Sequence, residues 1–423
     1  MIEVKNIREN IKTFIDGLTK RGLSDAKKTL EEIIVHDDKR KMLKTNLDGI
    51  LTDLNQVSKQ IGEKIQSGEK EEAELMKKKS QELKTLSKKI SEDLKKEESI
   101  IFNILTTIPN IPENIVPAGN NEEDNTLIFE SKIKKNDNIK LSPHWEIIKK
   151  YNIIDFEKGN KITGAGFPIY IDKGAKLQRA IINFCLDQAV EKGYQEIQPP
   201  VLVNDSSAFG TGQLPDKEGQ MYKIENEDLF MIPTAEVPIT NLHRNEIYDV
   251  SSLPIKNVAY TPCFRKEAGS WGAHVRGLNR LHQFDKVEIV QIESQENSNE
   301  ALHKMCDHVE NLIKLLELPY RKILLCSGDL GFSASITYDF EVYAPGQKKW
   351  LECSSVSNFK TYQTNRMNIK FKTGTEKKLA HSLNGSALAL PRIVAAILEN
   401  NQEKDKIHIP KVLQPYTGFN SIS

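Results

Sequence analysis

Phe264-Arg265-Lys266-Glu267 is followed, after a segment rich in glycine and charge, by Arg280-Leu281-His282-Gln283-Phe284. Just before the first block, Val258-Ala259-Tyr260 is a short apolar run of β type. Phe284-Asp285-Lys286-Val287-Glu288-Ile289-Val290 then alternates apolar and polar residues, as a half-buried strand does. The pattern predicts two antiparallel strands joined by a long loop that carries Gly269, Gly272, Arg276, Gly277 and Arg280. Arg265 and Glu267, two apart, are expected on one face of the first strand. A fixed cation and a fixed carboxylate on a sheet floor, under a basic loop, suit a bound phosphate anhydride carrying a hydrogen-bonding base. For an isolated R-x-E an ion pair on a solvated hairpin is the preferred reading; Phe284 and the basic loop turn the balance to the anion site.

The elements that must position these residues form a mixed order. Gly174 to Lys192 reads as one helix with Leu177, Ile181, Ile182, Leu186 and Val190 inward, followed by a strand into Pro199-Pro200. A helix is expected over about 299–318, strands near 321–326 and 337–343, and a final helix over roughly 386–401. Several strands in succession with few β-α-β alternations favour an antiparallel α+β domain over a doubly wound sheet. Residues 109–172 read as a connector, in which Gly159 to Phe167 is expected to be a β-turn region. Its three glycines lack the strand–G-x-G-x-x-G–helix setting of a dinucleotide fold.

The N-terminal 108 residues have a different pattern. After a short strand or turn and a small helix, Leu43, Leu47, Ile50, Leu54, Val57 and Ile61 follow a heptad seam. Ser67-Gly68 breaks the helix, and Leu83, Leu86, Ile90, Leu94 and Ile101 form a second stripe that ends before Pro109. Two such helices must fold back on each other, giving an arm over about 27–104 of roughly 55 Å at 1.5 Å per residue. Lys77, Lys84, Lys88 and Lys95 fall near one stripe of the second helix. A basic stripe is either the solvated face of a dimerisation coiled coil or a surface that follows a phosphate backbone.

Composition narrows the class. At 423 residues the chain has room for two or three domains. Lys+Arg and Asp+Glu both count 59, so any basic surface must be local. The five cysteines are scattered, with no C-x-x-C pair, which argues against a disulfide framework or a Cys-rich zinc site. No apolar run reaches the roughly 18 residues of a membrane span, and the first residues have no signal-peptide character. A soluble cytoplasmic protein is expected.

These blocks resemble the class II aminoacyl-tRNA synthetases. Phe264-Arg265-Lys266-Glu267 with Arg280-x-x-x-Phe284 is similar to their motif 2. The helix–strand–Pro199-Pro200 unit looks like motif 1, and Gly385-Ser386-Ala387-Leu388-Ala389-Leu390-Pro391-Arg392 looks like motif 3. Thr234-Ala235-Glu236, His282-Gln283-Phe284-x-Lys286-x-Glu288, Glu352-x-Ser354-Ser355 and Leu383-Asn384-Gly385-Ser386 point to the seryl-tRNA synthetase family. The likeness spans essentially the whole chain. It implies an antiparallel class II catalytic domain over 173–423 and a tRNA-binding N-terminal domain, 1–108, built as an antiparallel α-helical coiled-coil arm.

By this resemblance ATP is a substrate, and serine is joined to its α-phosphate before transfer to tRNA. Catalytic roles fall to Arg265, Arg392 and Glu352. ATP would be held by Arg265, Lys266, Glu267, Arg280, Phe284, Glu352, Cys353, Ser354, Ser355 and Arg392. Charge that gathers on phosphoryl oxygens needs fixed cations, and a planar guanidinium suits two anions at once. Glu352 and Ser355 offer hard oxygens of the kind Mg2+ prefers. Cys353 reads as a packing residue, since this chemistry needs no enzyme-bound acyl group. Thr234, Ala235, Glu236, Arg265, Glu288, Asn384 and Ser386 would line the serine pocket.

Lys77, Lys84, Lys88 and Lys95 would meet tRNA(Ser), and tRNA(Sec) where an organism has one. The family further implies a homodimer, with motif 1 at its interface. Gly272-Ala273-His274-Val275-Arg276-Gly277, after Trp271, departs from the family's Gly-Arg-Asp-Thr-Arg-Gly, which bears on the tRNA acceptor contact. Two rivals remain. A carrier-protein ligase would lack the arm, and a non-catalytic RNA-binding homologue would lack the polar groups just named.

Overall fold

The computed structural model describes residues 1–133, 141–216, 219–267 and 276–423. Two compact units emerge, one of Ile2–Pro109 and one of Asn110–Ser423 together with Met1.

The first unit is helical: α1 (Val4–Glu9), α2 (Ile11–Lys20), α3 (Ala26–Gln66) and α4 (Lys70–Thr107). The opening residues thus form two helices, not the expected strand or turn before one. Helices α3 and α4 pack side by side as a hairpin. Ser67 caps α3 and Gly68 takes φ +83, a left-handed turn that glycine enters without a steric penalty. At 41 and 38 residues, each helix is about 60 Å long.

Along α3 the seam is the expected one, with Val57 buried and Leu43, Leu47, Ile50, Leu54 and Ile61 half-buried. On α4 the register is 73, 76, 80, 83, 87, 90, 94, 97 and 101. Ser80 and Ser87 occupy seam positions, and Leu86, expected inside, is 45% exposed. A strict 3–4 alternation outranks the apolar character of any one residue. Lys77, Lys84, Lys88 and Lys95 are all exposed, and Lys77 pairs with Glu74 on its own helix.

The second unit begins with β1 (Thr126–Glu130), α5 (His144–Tyr151), β2 (Ile154–Asp155), α6 (Phe156–Ile162) and β3 (Ile169–Tyr170). So the expected connector supplies a sheet strand, and half of the expected turn at Gly159–Phe167 is helix. Asp155 starts α6 by accepting from the Lys158 backbone N–H at 2.8 Å. Gly159 is needed by close approach, since a Cβ there would meet the Phe167 carbonyl at 1.7 Å.

Then come α7 (Lys173–Glu191), β4 (Gln195–Glu196), β5 (Leu202–Asn204), α8 (Asp205–Thr211), β6 (Leu229–Met231), α9 (Glu236–Asn241) and β7 (Ile247–Asp249). Val190 on α7, expected inward, is 47% exposed. The chain continues with β8 (Ile255–Phe264), β9 (Gln283–Glu293), α10 (Ser298–Leu315), β10 (Tyr320–Leu324), β11 (Ile336–Ala344) and β12 (Lys349–Lys360). Last come α11 (Tyr362–Met367), β13 (Lys370–Thr373), β14 (Glu376–Leu379), β15 (His381–Ala389) and α12 (Leu390–Asn400). Ser386–Ala389 is therefore strand, and the final helix begins at Leu390 with Pro391 in its first turn, where a missing N–H does no harm.

Eight strands form the main sheet in the order β1-β10-β11-β12-β15-β9-β8-β4. All neighbours are antiparallel except β4 and β8. The strict alternation of strand side chains sorts two faces. On β11, Tyr338, Phe340 and Val342 are buried in the core, whereas Thr337, Asp339 and Glu341 line a cleft. On β9, Val287 and Ile289 face the core, and Lys286 and Glu288 the cleft. Helices α7, α10 and α12 close the apolar face with Leu177, Ile181, Leu302, Val309, Ile393 and Ile397. Each such side chain contributes roughly 1.5–3 kcal/mol by leaving water. The sheet is the floor of the cleft.

Candidate active site

The cleft over the polar face of the sheet has a volume of about 1150 Å³. It is lined by Arg265, Glu267, Arg280, Phe284, Glu352, Cys353, Ser354, Ser355 and Arg392, and by Thr234, Glu236, Glu288, Asn384 and Ser386. Lys266 and Ala235 are not among its lining. The Lys266 ammonium lies 5.8 Å from the Tyr222 ring centroid, and Ala235 packs in a buried cluster with Ile239, Ala259 and Val290. The four arm lysines belong to the other unit.

One end of the cleft rests on the β8–β9 hairpin, in register from Ile255↔Ile292 to Phe264↔Gln283. Regular strand ends at Phe264, so Arg265 and Glu267 do not project from it as expected. Both leave from an irregular continuation in which the Arg265 N–H donates to the His282 carbonyl at 2.9 Å and Glu267 takes φ +50. The Arg265 guanidinium stands 5.2 Å from the Phe284 ring centroid, and Arg280 pairs with Glu267. Cation, ring and carboxylate thus sit together at the hairpin end. Gly269 and the altered segment from Trp271 to Val275 lie outside the described residues; Arg276, at its end, stacks on Trp145 at 4.9 Å.

The middle of the floor is a small polar pocket. Lys286 and Glu288, two apart on β9, form an ion pair at 2.6 Å, with side chains 7% and 1% exposed. The Lys286 ammonium also donates to Thr234 Oγ1 at 2.9 Å. From β15, Asn384 Nδ2 donates to Glu288 Oε1 at 2.9 Å and Ser386 Oγ to Oε2 at 3.3 Å. Glu236, at the start of α9, accepts from Gln363 Nε2 at 2.6 Å. Burial pushes the Glu236 carboxyl up to about 7; the Gln363 hydrogen bond opposes this and the charge of Glu288 adds to it. Two buried carboxylates beside one lysine leave this part of the floor with an excess of acceptor oxygens, which suits a small polar cation.

Across β12, Glu352 pairs with Glu341 and Ser354 with Phe340, so Cys353 is the extra residue of a β-bulge. The Cys353 side chain is buried, its thiol donating to the Phe340 carbonyl at 3.4 Å. Opposite Ser355 stands Asp339, whose Oδ1 has no hydrogen-bond partner among the described residues. Burial, and after it the charge of Glu352, hold the Asp339 carboxyl well above the ordinary carboxylate range. Arg392, in the first turn of α12, donates from Nη1 to the Glu352 carbonyl at 2.7 Å, and its guanidinium is 3.4 Å from the Glu352 carboxylate.

Among the described residues no three His, Cys, Asp or Glu side chains form a metal-binding cluster. An ion held by Glu352 and Ser355, with the unpartnered Asp339 oxygen behind them, would need water and substrate oxygens to complete its shell. Mg2+ binds in that way. The donor set therefore fits it.

Sequence reasoning missed Asp339, Gln363 and the structural part of Lys286. Thr337-x-Asp339-x-Glu341 carried a period-2 polar signal that could have placed Asp339 on the cleft face. Lys286 alternates with Glu288 in the same way. Gln363 carried none, because it reaches Glu236 from 127 residues away.

Comparisons with known proteins match both units. The tRNA synthetase class II core domain (G, H, P, S and T) matches residues 221–401, and the seryl-tRNA synthetase N-terminal domain matches residues 1–112. A serine–tRNA ligase of Salinibacter ruber is 45% identical over 99% of this chain and 98% of its own. The chain belongs to the seryl-tRNA synthetase family. Among solved seryl-tRNA synthetases, that of Pyrococcus horikoshii complexed with ATP superposes with TM-score 0.90 at 34% identity, covering 100% of this chain and 99% of that one. The cytoplasmic serine–tRNA ligase of Naegleria fowleri in complex with AMP gives TM-score 0.87 at 27% identity, with the same coverage. No helix among the described residues is long and apolar enough to cross a membrane.

Proposed function

We propose that this chain is a serine–tRNA ligase. Serine's carboxylate oxygen attacks the α-phosphorus of ATP, the bond to the bridging oxygen breaks and pyrophosphate leaves. A terminal ribose hydroxyl of tRNA(Ser) then attacks the carbonyl carbon of the seryl-adenylate, and AMP leaves. The observation that carries this reading is the buried Lys286–Glu288 pair with Thr234, Asn384 and Ser386, set between Arg265 and the Glu352–Ser355 face.

In this reading Phe284 receives the adenine ring, and Glu267, released from Arg280, accepts from its amino edge. Arg265 bridges the serine carboxylate and the α-phosphate. Arg392, with Arg280, holds the outer phosphates. These cations face the place where charge gathers in the transition state, which is where electrostatic stabilisation lowers a barrier. Glu352 and Ser355 would hold Mg2+, which would supply positive charge to the phosphoryl oxygens. Glu288 and Glu236 receive the ammonium and hydroxyl of serine. Alanine leaves these buried groups unpaired, and threonine brings one methyl too many.

The exposed lysines Lys77, Lys84, Lys88 and Lys95 follow the backbone of tRNA(Ser), and of tRNA(Sec) where there is one. The protein works in the cytoplasm as a homodimer whose interface includes the α7–β4 region; the family resemblance supports this. The test is ATP–pyrophosphate exchange without tRNA, offering serine, threonine, alanine and glycine in turn. Exchange with serine alone is expected. Exchange with another amino acid, or with none in folded protein supplied with Mg2+, overturns the assignment.

A further inference from the structure

Outside the cleft, a polar cluster of the second unit joins α5 to α12. His144 and Glu399 are both completely buried. The Leu278 backbone N–H donates to His144 Nε2 at 2.9 Å. Nε2 must therefore be the unprotonated nitrogen, and Nδ1 carries the hydrogen that it donates to Glu399 Oε1 at 2.8 Å. The same carboxylate accepts from the His144 backbone N–H at 2.9 Å, Gln347 Nε2 at 2.9 Å and the Gln347 backbone N–H at 3.1 Å. Four donors around one buried carboxylate make a rigid post.

That post is tied to the cleft by two routes. The first is the bond to Leu278, two residues before Arg280. The second runs from Gln347 Oε1, which accepts from Asn279 Nδ2 at 2.9 Å, to the Asn279 carbonyl, which accepts from Arg392 Nε at 3.3 Å. The fit is tight: a Cβ on Gly277, whose φ is +70, would come within 2.2 Å of His144 Nε2. Trp145, the next residue of α5, lies against Arg276 on the outer side. Two consecutive α5 side chains thus hold the return of the β8–β9 loop from inside and outside.

We propose that His144, oriented by Glu399, is a positioning residue for nucleotide binding: it sets Leu278–Asn279 and through them the guanidiniums of Arg280 and Arg392. It touches no substrate. The inference rests on the reading of those arginines as ATP ligands. It predicts a defect centred on the nucleotide, because Glu236, Glu288, Asn384 and Ser386 stand on α9, β9 and β15, which this network does not enter.

The experiment is steady-state ATP–pyrophosphate exchange on full-length His144→Asn, His144→Gln, Gly277→Ala and Arg392→Ala. His144→Asn keeps a donor for Glu399 and loses the acceptor for Leu278; His144→Gln restores an acceptor at the outer position. His144→Asn is expected to raise the ATP KM about tenfold, the cost of one buried donor left unmet, with serine KM within about twofold. His144→Gln should recover most of the loss. Gly277→Ala, which presses on the imidazole and leaves the Glu399 pair in place, should reproduce the defect even if His144→Asn fails to fold. Unchanged ATP KM in folded His144→Asn or in Gly277→Ala, or an equal rise for serine, overturns the proposal. If Arg392→Ala leaves the ATP KM unchanged, the ATP reading itself falls.

Discussion

Glu352 and Ser355 present their side chains on the same face of β12 although they are three residues apart. In a regular strand that spacing sends them to opposite faces. The bulge at Cys353 absorbs one residue, so Glu352 stands opposite Glu341 and Ser355 opposite Asp339, both on the cleft face of β11. The Cys353 side chain itself is buried, its thiol donating to the Phe340 carbonyl.

Removing either oxygen should therefore show as a metal defect. Ser355→Ala is expected to raise the Mg2+ concentration for half-maximal pyrophosphate exchange about tenfold, and Glu352→Gln to lower the saturated rate at least a hundredfold. A Mg2+ titration of exchange reads both. Asp339→Asn removes a buried acid whose ionisation is opposed, so its melting temperature at pH 8 without ligands should rise while its Mg2+ requirement also rises.

Serine binding should depend on pH through Glu236. Its carboxyl, pushed up to about 7 in the folded chain, is largely protonated at pH 6, and only the charged form pairs with an ammonium. Serine KM should rise as pH falls below about 7, and binding at pH 6 should release a proton, visible in calorimetry across buffers of different ionisation enthalpy. Because the folded value lies above the unfolded one, this group's stabilisation is present below about 4.5 and lost as pH rises through 7. The ligand-free melting temperature should drop over that window and serine should offset the drop. Gln363→Leu, which removes the opposing hydrogen bond, moves the KM profile to higher pH.

Breaking the Lys286–Glu288 pair leaves a buried charge without its partner. Lys286→Met should destabilise the protein by roughly 3–5 kcal/mol, and Lys286→Met with Glu288→Gln by clearly less. Urea denaturation of the single and double variants gives the coupling. Equal losses in both would mean that the pair does not hold this part of the floor.

Acid should act first on the core beneath the sheet. Burial lowers the His308 imidazole to about 4 and that of His381 to about 3, and neither His308 nitrogen has a hydrogen-bond partner among the described residues. Stability from such groups is present above the unfolded value of about 6.5 and is lost as pH falls through the folded values. His308→Phe should shift the acid-unfolding midpoint, followed by circular dichroism, to lower pH.

On the proposed function, variants of the arm should separate the two half-reactions. Lys84→Gln with Lys88→Gln and Lys95→Gln should raise the tRNA KM and flatten its salt dependence, since each lost phosphate contact lowers the slope by about one. Pyrophosphate exchange without tRNA should stay unchanged. A defect in exchange would show that these lysines serve something other than the tRNA backbone.

Local order settled a good part of this molecule. Heptad spacing and Ser67-Gly68 determine the two long helices and their turn, because an apolar stripe can be buried only by folding back. Alternation over Phe284–Val290 determines β9 and puts Lys286 and Glu288 on one face. The blocks from Thr234 to Arg392 mark many of the polar residues that line the cleft, though not Asp339. Tertiary structure alone decided the rest. Leu86 yields its seam place to Ser87 because register belongs to the helix pair, not to one side chain. Thr126–Glu130 becomes a strand only because β10 offers a free edge. Glu352 and Ser355 share a face only through a bulge whose pairing residues lie on β11. Gln363 reaches Glu236, and His144 reaches Leu278, by packing between elements more than a hundred residues apart, where no sequence period operates.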